Sequence, residues 1–225
     1  MPGCCSTSGC DEFFTDDVAR RDARRYRRRG LDGNAQRLVD FVQREGVDGS
    51  TVLEVGGGVG AIQLELLRAG ASRTVNAELS AAYEPHAAAL ADEAGLQDRT
   101  ERRVLDFARQ GGEIAAADVV VLHKVVCCYP DYETLVGAAS THARHRLALT
   151  FPRDAVWIRL GFTVLNLLQR ARRRSFRVYL HRPAAVLAVA RAHGLEPATR
   201  HRGLVWEFAG LTRCEEDTAP VTGST

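Results

Sequence analysis

The chain has 225 residues, 45% of them apolar and 26% charged, which are the proportions of a globular domain with its own core. No apolar run reaches membrane-spanning length and no apolar stretch follows the start as in a secretion signal, so a cytoplasmic protein is expected. The net charge of +2 is too small to point to nucleic acid, although the basic residues are lopsided, with Lys124 the sole lysine. Six cysteines (Cys4, Cys5, Cys10, Cys127, Cys128 and Cys214) read as reduced thiols in such a compartment. The N-terminal three lack the paired spacing of a zinc site, so no metal is assigned.

In chain order, residues 1–12 read as a polar tail. Asp16 or Asp17 opens a helix that ends at Gly30. Asn34 to Glu45 carries the apolar stripe Leu38, Val39, Phe41 and Val42 and predicts a second helix. Thr51 to Val55 reads as a strand that runs straight into glycines. A helix from Ala61, a strand from Thr74 to Leu79, a helix from Tyr83 to Ala94 and a strand from Thr100 to Leu105 follow. Asp118 to Leu122 is β-branched enough for a buried parallel strand. Tyr132 to Ala143 predicts a helix, Arg146 to Thr150 a strand, and Pro183 to His193 the last helix. Glu196 to His201 and Leu204 to Leu211 then form an antiparallel hairpin. The alternation predicts an α/β fold, a Rossmann-like, mostly parallel sheet with helices on both faces. Residues 214–225 read as a disordered tail.

The sequence VLEVGGGVGA at 52–61 carries the main chemical signal. A strand, a glycine turn and a helix N-terminus bring backbone N–H groups close to a ligand. Gly56, Gly58 and Ala61 satisfy the dinucleotide pattern, with Glu78 near the distance of a ribose-binding acid. Gly56, Gly58 and Gly60 equally satisfy the G-x-G-x-G of S-adenosylmethionine enzymes. Three features tilt the choice towards the latter. Glu54 lies inside the strand, where dinucleotide folds carry an apolar residue. Asp106 and Phe107 end the third strand, where a carboxylate and a ring suit an adenine. The C-terminal hairpin is the third.

Together these features resemble class I S-adenosylmethionine-dependent methyltransferases over about residues 34–213. The resemblance implies a seven-stranded sheet whose last strand is antiparallel, and S-adenosyl-L-methionine as cofactor. It implies that Glu78 accepts from both ribose hydroxyls and that Asp106 accepts from the adenine amine. Glu54 and the backbone of Gly56, Gly57, Gly58 and Gly60 would surround the methionine part, and Leu79, Phe107 and His123 would complete the cofactor set. A narrower resemblance, to magnesium-protoporphyrin O-methyltransferases, rests on VVCCYPDYETLV and RVYLHRPAAVLAVARAHGLEP. It favours O-methylation. That family has a His directly before its Tyr-Pro pair; here the place holds Cys128.

Methyl transfer from a sulfonium is an in-line displacement that needs alignment and exclusion of water, with a base only for an acceptor of high pKa. His123 is the candidate for base or for acceptor orientation, and Tyr26 the second catalytic candidate. Cys128 and Tyr129 follow the fourth strand and face the expected acceptor side. Arginine clusters at 20–29 and 170–177 flank the core where this class carries its acceptor lid. Arg24, Arg25, Arg172 and Arg173 are therefore substrate-binding candidates for an anionic, partly apolar acceptor. On this reading residues 1–33 are a tail and a lid helix. Ala155 to Leu168 is strongly apolar and ends in arginines. It would suit a core helix, the wall of an amphiphilic acceptor site, or the surface of an anionic membrane. Two alternatives stand beside the small-molecule methyltransferase: an NAD(P)-dependent oxidoreductase, and a binding module without catalysis. A nucleic-acid acceptor is not expected, because no Asn-Pro-Pro-Tyr-like element follows the fourth strand.

Overall fold

Order begins earlier than the polar composition of the first dozen residues suggests. In the computed structural model, which describes residues 8–214, α1 spans Ser8–Phe13. The following aromatics hold it: the Phe13 ring stacks on Phe176 at 4.3 Å, and Phe14 meets Phe176 edge-on at 5.5 Å. The polar-tail expectation is thereby corrected for residues 8–12. Their own sequence does not specify the helix; a ring contact more than 160 residues away does. The expected metal-free Cys4 and Cys5, and residues 215–225 of the expected C-terminal tail, lie outside the described residues.

Helix α2 (Asp16–Arg29) has Asp16 and Asp17 in its first turn and Arg27, Arg28 and Arg29 in its last, each matched to the helix dipole. Gly30 ends it with φ 66°. Its buried residues are Ala19 and Ala23, small enough for the helix to lie close to the turn at Ala81–Tyr83. Helix α3 (Gly33–Arg44) is capped by Asp32, whose carboxylate accepts from the Asn34 and Ala35 amides, both at 3.0 Å. Its buried stripe is the expected one.

The remaining elements are β1 (Thr51–Val55), α4 (Ala61–Arg68), β2 (Arg73–Glu78), α5 (Glu84–Glu93), β3 (Thr100–Val104), α6 (Phe107–Gln110), β4 (Ala117–His123), α7 (Tyr132–His142), β5 (Ala143–Pro152), α8 (Val156–Ala171), α9 (Pro183–Ala192), β6 (Leu195–Arg202) and β7 (Trp206–Arg213). They build one seven-stranded sheet of order β3-β2-β1-β4-β5-β7-β6. All pairs are parallel except those of β7, which runs antiparallel between β5 and β6. Side chains of β4 alternate between two cores: Val119 and Val121 face α3 and α4, while Val120 and Leu122 face α7 and α9. The sheet is thus buried on both faces, as β-branched parallel strands require.

Register fixes the functional edge. Val55 lies opposite Ala77 and Leu122, Glu78 opposite Val104, and His123 opposite Thr150. Gly56, Glu78, Leu105 and His123 therefore emerge along one rim. The strand order reverses between β1 and β4, and a crevice opens at such a reversal. Two elements depart from expectation. Leu204 and Val205 form an exposed turn before β7 and not its first residues. Helix α8 is not a core helix: of its sixteen residues only Ile158 and Gln169 are buried.

Candidate functional site

Two clefts open on the rim. The first has a cavity volume of about 160 Å³ and is lined by Glu78, Leu79, Asp106, Phe107, Cys128 and Tyr129, among others. The second has a cavity volume of about 290 Å³ and is lined by Arg25, Tyr26, Asp32, Glu54, Gly57 and Ile62, among others. Gly56, Gly58, Tyr83, His123 and Lys124 line both, so the clefts meet across the glycine turn and the end of β4.

The first cleft is acidic and organised. Glu78 Oε2 accepts from the Gly58 amide at 2.8 Å, and Oε1 accepts from Leu79 at 2.8 Å and Ser80 at 3.2 Å. Burial nonetheless holds its pKa above the ordinary carboxylate value, against those three amides. The carboxylate is fixed in place, with lone pairs left for a diol. Asp106 accepts from the Tyr129 hydroxyl at 3.0 and 3.1 Å. Tyr129 is buried here, as the partner of Asp106 and not as a wall of the second cleft. Phe107 is buried beside it, edge-on to His142. Cys128 lies on the same wall, its Sγ 3.7 Å from that of Cys127. Cys10 and Phe14 of the N-terminal segment also line the cleft. Burial first, then Glu78, pushes the Cys10 thiol up to about 11, so it stays protonated.

Glycine at 56 and 57 is dictated by close approach. Gly56 has φ 64°, and a Cβ there would lie 2.6 Å from Val125 Cγ2. A Cβ on Gly57 would lie 2.5 Å from Glu54 Cδ and 2.8 Å from Asn76 Nδ2. Glu54 is buried under the turn. Among the described residues its Oε2 and Asn76 Nδ2 have no hydrogen-bond partner. Burial pushes the Glu54 carboxyl up to about 8, opposed by Arg102 and a hydrogen bond from the Gln63 backbone. A glycine cradle over an unpartnered buried carboxyl oxygen fits a ligand that carries an ammonium or sulfonium, whose positive charge favours the ionised form, such as S-adenosylmethionine.

The shift has a testable consequence for stability. Native Glu54 binds its proton more tightly than the unfolded chain does, so this contribution is complete below about pH 4.5 and is lost as pH rises through about 8. Urea unfolding of Glu54→Gln should show a flatter decline between pH 5.5 and 9, gaining on the wild type by a few kcal/mol at most over that range. Parallel curves for the two proteins would contradict the assignment.

In the second cleft the sequence-predicted His123 has company. Its Nδ1 is 3.1 Å from Thr150 Oγ1, and its Nε2 is 3.7 Å from Asp32 Oδ2. The Lys124 amide donates to the same Thr150 oxygen at 2.9 Å. The threonine hydrogen is then free to point at Nδ1, which leaves the ring proton on Nε2, facing Asp32. Burial keeps His123 below its usual pKa, despite Asp32. Lys124 adopts φ 60°, sparsely populated for a non-glycine residue, and its Nζ donates to Asp32. His123, Lys124 and the Ala35 amide together hold Asp32 far below the ordinary carboxylate range, over the opposing effect of burial.

Tyr26 faces this cleft, but its hydroxyl donates to Glu65 at 2.6 Å and accepts from Arg68 at 2.8 Å. Burial, then Glu65, pushes it up to about 12. Of the arginine candidates, Arg25 lines the cleft, 3.7 Å from Asp32. Arg24 is exposed on α2, and Arg172 and Arg173 are exposed beyond α8; none of these three lines either cleft. Asp32, Tyr83 and Thr150 were not expected at the site. Asp32 is legible in the sequence as a helix cap, but not as a partner of His123 and Lys124. The two segments behind the narrower resemblance do meet. Tyr179 donates its amide to the Cys127 carbonyl at 2.7 Å, and His181 Nε2 lies 3.0 Å from the Tyr129 carbonyl oxygen. Among the described residues no three histidine, cysteine or acidic side chains gather as a metal site.

No family model matches the chain, and neither does any curated protein at the level of sequence. Solved structures do match it by shape. Magnesium protoporphyrin IX methyltransferase from Synechocystis PCC 6803, with bound SAH, aligns at a TM-score of 0.71 and 21% identity, over 92% of this chain and 99% of that one. Geranyl diphosphate C-methyltransferase from Streptomyces coelicolor A3(2) aligns at 0.64 and 15% identity, over 80% and 76%. An O-methyltransferase family protein from Burkholderia thailandensis aligns at 0.62 and 20% identity, over 89% and 63%. The sheet order, with its antiparallel β7, also departs from the 3-2-1-4-5-6 order of dinucleotide-binding folds. The chain has the class I S-adenosylmethionine-dependent methyltransferase fold.

Proposed function

We propose that the protein transfers the methyl group of S-adenosylmethionine to a small anionic acceptor held in the second cleft, O-methylation being the favoured chemistry. The observation that carries this reading is the meeting of the two clefts at Gly56, Gly58, Tyr83, His123 and Lys124. Glu78 and Asp106 suit the ribose and adenine on one side. Glu54, which with Gly57 lines the second cleft at the glycine turn, suits the cationic amino-acid end, so the cofactor reaches across the junction and the acceptor takes the rest of that cleft. The cofactor supplies a methyl group already activated by positive sulfur, so the chain's task is to align and to exclude water.

On the acceptor side, Lys124 and Arg25 provide positive charge, and Leu31, Val59 and Ile62 provide apolar floor. An acceptor with an anionic group and an apolar body matches that lining. Both ring nitrogens of His123 already face partners, so its role is orientation: it presents an N–H beside Asp32 towards the junction. Tyr26 has its proton committed to Glu65 and serves as wall.

Calorimetry with S-adenosylmethionine, S-adenosylhomocysteine and NAD tests the cofactor. Heat with the first two and none with NAD is expected; the reverse would favour an oxidoreductase. Tritium transfer from labelled S-adenosylmethionine to a panel of carboxylates, phenols and phosphates then tests turnover. With an acceptor in hand, Lys124→Gln should raise its KM by roughly tenfold, the value of one lost charge-assisted hydrogen bond. Cofactor binding without product across the panel would point to a non-catalytic module.

A further inference from the structure

We infer that α8 docks the protein on an anionic lipid bilayer, lying in the plane of the interface. Helix α8 leaves a continuous apolar stripe in solvent. At about 100° per residue, Trp157, Leu160, Val164, Leu167 and Leu168 fall within about 100° of arc. All five are exposed; Leu160 is 65% and Leu167 59% accessible. The opposite side of the helix is anchored. Ile158 and Gln169 are buried, and the Asn166 side chain pairs with the Val178 backbone in both directions, at 2.8 and 2.9 Å. The helix is therefore held firmly with its apolar side outward. A second element exposes apolar residues at the start of α8. The Arg153 amide donates to the Val205 carbonyl at 2.8 Å, which ties the β6–β7 turn, with Leu204 77% exposed, next to the helix start.

Charge selects the occupant. Helix α8 contains no acidic residue. Arg159 and Arg170 lie along one margin of the stripe, Arg172, Arg173 and Arg174 follow it, and all five are exposed. Arg159 is paired with Asp154, and among the described residues the other four have no acid within 4 Å, so cationic charge is in excess along the rim. Two copies of this face brought together by a twofold axis would set arginines against arginines. An apolar stripe edged with guanidinium groups instead matches acyl chains beneath anionic headgroups. The helix has sixteen residues, and no helix of the described residues is long and apolar enough to cross a membrane. It lies on the bilayer and does not span it.

The test uses the full chain with two kinds of vesicle, phosphatidylcholine alone and phosphatidylcholine with phosphatidylglycerol. Co-sedimentation with the anionic vesicles should exceed that with the neutral ones by roughly tenfold or more at low salt. Two variants separate the contributions. Leu160→Gln/Val164→Gln/Leu167→Gln keeps helix propensity and should abolish sedimentation with its thermal midpoint unchanged. Arg170→Ala/Arg172→Ala/Arg173→Ala should remove the preference for anionic vesicles. In a Trp206→Phe background, Trp157 emission should shift to the blue on adding anionic vesicles. Equal sedimentation of wild type and triple glutamine variant would overturn the inference. So would an unshifted Trp157, or a dimer by light scattering that the glutamine variant dissolves and vesicles do not compete with.

Discussion

Gly56→Ala should abolish binding of S-adenosylhomocysteine and lower stability by about 2–4 kcal/mol, the sum of a left-handed backbone cost and an overpacked contact. The two costs have separate origins. At φ 64° a Cβ crowds its own carbonyl, and the same atom would sit 2.6 Å from Val125 Cγ2. Relief requires either the turn to lift or the segment after β4 to retreat. Either movement displaces the junction where the two clefts meet. Calorimetry and urea unfolding of the variant read the two effects separately. Cofactor affinity within threefold of wild type would show that the turn does not touch the ligand.

Glu78→Ala is expected to weaken cofactor binding by about a hundredfold or more, since each hydrogen bond to a charged group is worth about 1.5–3 kcal/mol. It also leaves the amides of Gly58, Leu79 and Ser80 without their carboxylate acceptor, at a further cost to the fold of about 1–3 kcal/mol. Glu78→Gln is the informative companion. It keeps an oxygen for the Leu79 and Ser80 amides but sets its NH2 against the Gly58 amide and loses a double acceptor for a diol. It should recover part of the stability and little of the affinity. If both variants bound the cofactor as tightly as wild type, Glu78 would be a structural clasp for the glycine turn and nothing more.

Most of the sheet was legible in the sequence because its signals are local. β-branched runs, helical stripes and the glycine turn each declare themselves within a dozen residues, and Glu54, Glu78 and Asp106 stand where strand register puts them on the rim. What escaped reading depends on contacts made at a distance. Asp32 and Lys124 are 92 residues apart, and nothing near Asp32 distinguishes it from an ordinary helix cap. Tyr129 reads as an acceptor-side residue until the chain turns through Val126–Cys128 and delivers its hydroxyl to Asp106. Helix α1 exists because Phe13 and Phe14 find Phe176. The exposure of α8 could not be foreseen either. Apolar content marks a helix for burial, but only the completed sheet reveals that α7 and α9 have already taken the available face.

The place of β7 bears on how the chain is made. Because this strand inserts between β5 and β6, a chain made only through Arg202 leaves β5 open on one side and β6 without a partner. Until Trp206–Arg213 emerges, β5 offers a ladder of open amides and carbonyls to any neighbour. The chain is thus most open to edge-to-edge association in the interval before β7 is in place.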